Sequence, residues 1–464
     1  MSTINICVSR LGAAVEPSYC PRCTSDMVTH SLTHSLTHSL THSLTYSGPL
    51  EMALLDDLEA ALDQNTELRV TLLLDYHRSN RVDAHPDQHS LQRMRLINES
   101  HPHRFKVYLY KVPQTAVATK MIELFLNIFQ KNSVIYEVLG VYHCKYCMFD
   151  DQVVITGANL SNEYFTDRQD RYYCFDPKAT SHVTNDVGNM HTFLTSFTNI
   201  IKEFSYSIDG SSTSPPRRSE YRQMRQQLEE LALSYKQEKI ENNYDKNHTI
   251  FIPCIQHAQL DVTGESTSIL SLLDQLDILF HNKTPYEMLL TSAYPSFMPS
   301  MVSSIVSLVR RQVLSQVALL MPTESTHGFH KATGIKALIP KMHKEAINEV
   351  VRKLASSNGE SSLRIRYYNR PQWSYHAKGI WLLAPLDKTL SLPFFTYIGS
   401  SNFGQRSWER DLELGFMIIS NQIPVRTKIA KEISHLCQHT GPGTVQHSKV
   451  THVHRLMKIF RTFL

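Results

Sequence analysis

No run of about 18 uninterrupted apolar residues occurs in this 464-residue chain, so the ordinary signature of a membrane-spanning helix is missing. The longest apolar stretch, residues 288–309, is broken by Pro295 and Pro299. The amino terminus has neither the basic opening nor the sustained apolar core of a secretory signal. Basic residues are short there too: only Arg10 and Arg22 precede residue 50, opposed by Glu16 and Asp26, a composition unlike a mitochondrial presequence. Cysteine is sparse. Eight of them, scattered without regular spacing, point to a reducing compartment and away from a secreted disulfide scaffold. A net charge of +4 over this length is too small to imply wholesale nucleic-acid binding, while leaving room for local anionic ligands.

The length suffices for two ordinary domains, each with its own core. Residues 29–44 are four copies of Thr-His-Ser-Leu. That period matches no solenoid unit and the composition has weak helix propensity, so residues 1–46 are expected to form a disordered low-complexity leader. Metal binding by His30, His34, His38 and His42 is the weaker reading. From residue 47, helical and strand-like patterns alternate, with strands expected over 68–75 and 105–110 and a hairpin turning at Asp150-Asp151-Gln152. This predicts a first α/β domain over 47–206. Residues 207–249 read as a linker containing a charged helix, 219–240, with Leu228, Leu231 and Tyr235 on one side. Strand-like runs at 287–292, 316–321 and 363–368 then mark a second α/β domain over 250–464.

The chemistry of the chain is written twice. His143-Cys144-Lys145 and His376-Ala377-Lys378 each lead into an apolar, strand-like run. Asn159 follows the first in Gly157-Ala158-Asn159-Leu160-Ser161, and Asn402 follows the second in Gly399-Ser400-Ser401-Asn402-Phe403-Gly404. Eleven residues beyond each Asn stands a carboxylate, Asp170 and Glu413. The Lys-to-Asn interval is 14 residues in the first copy and 24 in the second. The extra residues fall in 383–394, which reads as an enlarged hairpin loop. Asp150 completes H-x-K-x4-D in the first copy.

Alternation along a strand places His143 and Lys145 on one face, and likewise His376 and Lys378. A lysine ammonium beside an imidazole offers charge neutralisation to a phosphate oxygen next to a nucleophile, and Asn159 and Asn402 add neutral hydrogen bonds. With the two copies facing each other, one histidine can attack phosphorus while the other protonates the leaving oxygen, and the roles then reverse. Asp170 and Glu413 would fix imidazole tautomer and orientation. Neither a metal nor another cofactor is called for, since the two lysines supply the charge. A competing reading pairs Cys144 and Cys147 with Cys20 and Cys23 as four zinc ligands, but on a strand the first two would point to opposite faces.

At these residues the chain resembles the phospholipase D superfamily and, within it, the eukaryotic mitochondrial phosphatidylglycerophosphate synthases. The narrower likeness rests on Gly157 to Ser161 running into Tyr164-Phe165-Thr166-Asp167-Arg168-Gln169-Asp170-Arg171-Tyr172. It rests also on His376-Ala377-Lys378-Gly379-Ile380-Trp381, and on Gly399 to Ser407 with Arg410-Asp411-Leu412-Glu413. The resemblance implies two pseudo-symmetric α/β domains with the active site at their interface. It implies transfer of a phosphatidyl group from CDP-diacylglycerol to glycerol 3-phosphate, a mitochondrial location and peripheral contact with an anionic membrane, without nucleic acid. A basic amphipathic segment at 449–464 suits such a surface, and equally a terminal helix packing its apolar side on the domain. By the same resemblance His143, Lys145 and Asp150 form the first catalytic motif, and His376 and Lys378 the second. Leu383 stands where the second motif of the superfamily often has Asp, and the front end matches the family only over 43–51, as a truncated amino terminus would. Another superfamily activity, such as a phosphatidylserine or cardiolipin synthase, a phospholipase or a nuclease, and a non-catalytic lipid-binding protein are the alternatives.

Overall fold

The computed structural model describes residues 4–8, 37–41, 48–80, 90–114, 137–176, 184–210, 218–241, 249–280, 285–333, 337–354, 362–385 and 391–443. In the first half the strands are β1 (Ile4–Val8), β2 (Thr37–Thr41), β3 (Arg69–Asp75), β4 (Phe105–Tyr110), β5 (Tyr146–Phe149), β6 (Gln152–Thr156), β7 (Arg168–Gln169), β8 (Arg171–Phe175) and β9 (Tyr206–Ser207). Helices α1 (Pro49–Gln64), α2 (Tyr76–Ser79), α3 (Ser90–Ser100), α4 (Asn162–Thr166) and α5 (Thr184–Glu203) lie among them, and α6 (Arg218–Glu241) leads to the second half. There the strands are β10 (Thr249–His257), β11 (Val262–Thr263), β12 (Tyr286–Thr291), β13 (Leu314–Pro322), β14 (Leu363–Tyr368), β15 (Ser374–Tyr375), β16 (Gly379–Pro385), β17 (Ser391–Gly399), β18 (Leu412–Ser420) and β19 (Thr440–Pro442). Its helices are α7 (Gly264–Phe280), α8 (Pro299–Arg310), α9 (Ile339–Leu354), α10 (Gln405–Glu409) and α11 (Ile423–Leu436).

Each half builds its own sheet. The first runs β1-β8-β6-β5-β2-β3-β4-β9 and the second β11-β10-β18-β17-β16-β12-β13-β14-β19. Apart from the extra edge strand β11 the order is the same, β1 matching β10 and β2 matching β12. In both halves three parallel strands adjoin an antiparallel meander. The parallel strands are covered on both faces, which is why they read as continuous apolar runs. Along β3, Leu72 and Leu74 pack outward under α1 and α3, while Leu73 faces the central core. That core joins the halves. Tyr146, Ile155 and Tyr173 of the first sheet meet Phe251, Trp381 and Phe416 of the second, with Phe193 and Phe197 of α5, Leu228 of α6 and Ile429 of α11 between them.

Two expectations need correction. Residues 1–46 do not all lie outside the fold: Ile4–Val8 is strand β1, and Thr37–Thr41, inside the Thr-His-Ser-Leu repeat, is β2, parallel to β3 and antiparallel to β5. A four-residue repeat is a whole multiple of the two-residue strand period and is rich in β-branched Thr, so it can pair as a strand although it suits neither helix nor solenoid. The excursion at 383–394 is largely strand as well. β16 and β17 continue through Pro385 and from Ser391, with a register shift at Leu382/Leu383, so the insertion mainly lengthens a hairpin. The charged helix is where it was expected, with Leu228 and Tyr235 buried and Leu231 packed against them. Cys20 and Cys23, the His30, His34 and His42 positions and residues 449–464 lie outside the described residues.

A buried cation locks the two sheets together. Arg171 of β8 forms an ion pair with Glu432 of α11 at 2.7 Å, both side chains fully buried. Its remaining N–H groups donate to the Lys378 and Tyr397 carbonyls at 2.7 Å and to the Tyr173 and Thr396 hydroxyls at 3.1 Å. The guanidinium also lies 4.1 Å from the Trp381 ring. Gly379 makes room for it: a Cβ there would sit 2.2 Å from Arg171 Nη1. Breaking a buried pair strands the partner charge. Arg171→Leu is therefore expected to lower stability by about 3–5 kcal/mol, read as a lower urea midpoint.

Candidate active site

Both His-x-Lys segments are extended lead-ins to strands, one step before β5 and β16 begin. Each pairs with the carboxylate-bearing segment of the opposite half. His143 N–H donates to the Leu412 carbonyl at 2.8 Å, and Leu412 N–H donates to that of Val141 at 2.9 Å. In the mirror arrangement β15 pairs in parallel with β7, and His376 N–H donates to the Gln169 carbonyl at 2.8 Å. The backbone thus delivers Glu413 to His143 and Asp170 to His376. His143 Nδ1 lies 2.8 Å from Glu413 Oε2, and His376 Nδ1 lies 2.7 Å from Asp170 Oδ2. With carboxylates accepting at Nδ1, each neutral imidazole presents its Nε2 lone pair.

The two lysines follow their histidines as alternation requires, while Cys144 turns into the core. Lys145 Nζ donates to the His143 carbonyl at 2.6 Å. Lys378 Nζ donates to the His376 carbonyl at 2.6 Å and to that of Gly157 at 3.3 Å, and it lies 3.2 Å from His376 Nε2. Burial lowers Lys145 to about 7 and Lys378 to about 8. Neighbouring cations lower each lysine further, Arg78 and Lys378 acting on Lys145, and Arg168 on Lys378. Burial and the adjacent lysine push both histidines well below the usual imidazole range. Asp170 is held below the usual carboxylate range by Lys378 and His376 against its own burial, whereas burial raises Glu413.

Six of the expected residues therefore converge: His143, Lys145, Asp170, His376, Lys378 and Glu413. Asn159 Nδ2 donates to the Tyr164 hydroxyl at 3.3 Å, and Asn402 Oδ1 accepts from Ser292 Oγ at 3.1 Å. Asp150 is not brought to this cluster. It sits at the β5–β6 turn with φ +51°, roughly 16 Å along the chain from Lys145 at about 3.3 Å per residue. Several neighbours were not singled out from sequence. The Tyr164 hydroxyl lies 3.1 Å from His376 Nε2, whereas no described residue hydrogen-bonds His143 Nε2. Tyr164 comes five residues after Asn159, but the matching position after Asn402 is Ser407, so comparing the copies passes over it. Asp75 accepts from the backbone N–H groups of Tyr142 at 2.7 Å and Arg78 at 2.8 Å. Asp411 accepts from Val141 N–H at 2.9 Å and from Arg406 at 3.0 Å.

Donor atoms of His143, Asp411 and Glu413 fall within 4.8 Å of one another. His143 Nδ1 is taken by Glu413 Oε2, and the Asp411 oxygens by Val141 N–H and the Arg406 guanidinium, while the Lys145 ammonium shares the field of Glu413.

No protein-family model matches the chain. Among curated proteins, it is 29% identical over 423 residues to the CDP-diacylglycerol–glycerol-3-phosphate 3-phosphatidyltransferase of Saccharomyces cerevisiae, covering 86% of this chain and 77% of that one. It is 25% identical over 436 residues to the mitochondrial enzyme of the same name from Homo sapiens, covering 85% and 72%. Among solved structures, the phosphatidylserine synthase of Haemophilus influenzae superposes with a TM-score of 0.66 at 18% identity, covering 94% of this chain and 90% of the other. The chain is a homologue of these phosphatidyltransferases, built on the phospholipase D fold. Two pseudo-symmetric α/β halves with the site between them are the architecture that the motif duplication predicts.

The buried lysines make stability pH-dependent. Their folded pKa values, about 7 and about 8, lie below the ordinary 10.5, so the unfolded chain binds more protons between these limits. Their contribution is complete above about pH 10.5 and is lost as pH falls toward 8 and then 7. In Lys378→Met, the unfolding free energy measured in urea should rise less steeply between pH 8 and pH 10 than in the parent chain.

Proposed function

We propose that the chain transfers a phosphatidyl group from CDP-diacylglycerol to glycerol 3-phosphate, releasing CMP and forming phosphatidylglycerophosphate. The observation that carries this reading is the reciprocal exchange of carboxylates, His143 with Glu413 and His376 with Asp170, around two buried lysines in a homologue of enzymes bearing that name. One imidazole attacks phosphorus through Nε2, forming an N–P bond as the bond to the CMP oxygen breaks. That oxygen takes its proton from the opposite imidazolium. The C1 hydroxyl of glycerol 3-phosphate then gives its proton to the same imidazole and displaces the phosphohistidine nitrogen. Lys145 and Lys378 neutralise the non-bridging oxygens, assisted by the asparagine amides. In the empty site both imidazoles are pushed toward neutrality, and the negative diphosphate restores the field that holds one of them protonated.

The diacyl substrate places the work at a membrane surface. Among the described residues no helix is long and apolar enough to cross a bilayer, and the basic amphipathic pattern at 449–464 supports peripheral contact with anionic lipid. A mitochondrial location follows the names of the mammalian homologues.

Purified protein incubated with CDP-diacylglycerol should release CMP only when glycerol 3-phosphate is present. Release without an acceptor would mean a hydrolase, and preference for serine would mean a phosphatidylserine synthase. His143→Ala and His376→Ala should each lower turnover by at least about 10⁴-fold with circular dichroism unchanged. Asp170→Asn, which keeps shape but loses the charge that selects the His376 tautomer, should lower kcat by about 10⁴-fold with little change in KM.

A further inference from the structure

The two imidazoles differ at the nitrogen that must react. The Tyr164 hydroxyl lies 3.1 Å from His376 Nε2, with the rings edge to face at 86° and their centroids 5.0 Å apart. Asp170 accepts at Nδ1, so Nε2 carries a lone pair and the hydroxyl is the donor. Lys378 Nζ, 3.2 Å from the same nitrogen, also donates to the His376 and Gly157 carbonyls. No described residue hydrogen-bonds His143 Nε2, whose ring is held at Nδ1 alone.

Tyr164 is buried and firmly placed. Its backbone N–H donates to the Ser161 carbonyl at 2.9 Å, and the Asn162 N–H beside it donates to the buried Glu51 carboxylate at 3.1 Å. The Arg168 guanidinium, fixed by a 2.9 Å bond to Ser374 Oγ, lies 4.8 Å from the Tyr164 ring centroid. A phenol hydroxyl has one proton and two lone pairs. The proton goes to His376 Nε2 and Asn159 Nδ2 donates to the oxygen at 3.3 Å, which leaves that oxygen able to accept from an incoming hydroxyl.

This cover permits one reaction and obstructs the other. A proton can join Nε2 with Tyr164 in place, because the hydroxyl then turns and accepts from the charged ring. A phosphorus atom cannot, because the oxygen at 3.1 Å stands where the N–P bond would form. His376 is thereby kept for proton transfer. Burial pushes the Tyr164 phenol above its usual range, so it does not ionise by itself. A hydroxyl that gives one proton while accepting another stays neutral throughout.

We propose that Tyr164 is a catalytic residue that relays the acceptor's proton to His376, an assignment that rests on the phosphatidyltransferase reading. In the second displacement the C1 hydroxyl of glycerol 3-phosphate gives its proton to the Tyr164 oxygen as Tyr164 gives its own to His376 Nε2. The C1 oxygen forms the new bond to phosphorus, the N–P bond to His143 breaks, and its electron pair returns to His143 Nε2. His376 ends as the imidazolium. The starting state of this step, Tyr164 donating to a neutral ring, is the one the structure contains. The first displacement depends on the relay far less, since a nucleotide phosphate leaves as a weak base, whereas an alcohol must lose a proton to attack.

The test is Tyr164→Phe in the full chain, which deletes the hydroxyl and keeps the ring against His376 and Arg168. Mixed with CDP-diacylglycerol and glycerol 3-phosphate and followed by rapid quench, the variant should release its first equivalent of CMP at the parent rate. Its later turnover should be slower than the parent's by about 10²–10⁴-fold. Hydroxylamine attacks phosphorus without first losing a proton to a base, so with it in place of glycerol 3-phosphate variant and parent should turn over alike. Unimpaired turnover of the variant with glycerol 3-phosphate overturns the relay and leaves Lys378 as the proton route. Loss of the first CMP equivalent, or an equal deficit with hydroxylamine, also overturns it and makes Tyr164 a packing residue. A parent chain that releases no CMP fails the transferase reading, and the relay with it; an active parent with an equally active variant fails the relay alone.

Discussion

Each imidazole of the site takes its carboxylate from the opposite half of the chain, and much of the architecture serves to keep that exchange in register. A side-chain bond of 2.7–2.8 Å across two sheets demands that the sheets be fixed to a few tenths of an ångström. Three features fix them. The parallel backbone pairings at Tyr142/Leu412 and at β15/β7 set the local approach. The central aromatic core removes the freedom of the halves to slide. Arg171 ties β8 to α11 and to the Lys378 carbonyl, so the residue after Asp170 is bonded to the backbone of a buried lysine in the opposite half. Positioning and stability are therefore carried by adjacent residues, Asp170 between β7 and β8 and Arg171 at the start of β8.

The same burial that secures the geometry governs the charge. Two fully buried lysines do not hold their protons easily even beside Asp170 and Glu413, and each depresses its neighbouring histidine. A diphosphate placed there would strengthen every cation around it and would itself be bound more tightly as water leaves. On the proposed reaction, this coupling would make substrate binding and the creation of an acid the same event.

The duplicated order of His, Lys, Asn and carboxylate was readable because each interval has a structural cause: alternation for His and Lys, a hairpin for Lys to Asn, a turn and short helix for Asn to carboxylate. Spacing along the chain could not say which carboxylate serves which histidine, since pairing across halves is a tertiary fact. Asp150 looked catalytic by its place in a motif, yet the hairpin carries it to the far end of β5 and uses it in a left-handed turn. Tyr164 and Arg78 escaped for the opposite reason, because each belongs to one half only. The Thr-His-Ser-Leu repeat was misjudged because its period was tested against helices and solenoids, while a sheet already supplied with neighbours accepts any sequence commensurate with its pleat.

The symmetry of the sheets and of the His-Lys pairs does not extend to everything around them. On the His143 side, Arg78 follows the end of β3 and its charge reaches both His143 and Lys145. On the His376 side, the equivalent end of β13 leads to the neutral pair His327 and His343 behind Tyr294. Tyr164 covers His376 Nε2, with Ser407 in the matching place of the other copy. A double displacement needs two interchangeable proton-transfer groups, but the groups attached to phosphorus are unlike: one is a lipid, the other first a nucleotide and then a small polyol phosphate. A duplicated frame supplies the first requirement. The second can come from segments that the repeat does not constrain, such as those after β3 and β13, where the described residues of the two halves differ in charge.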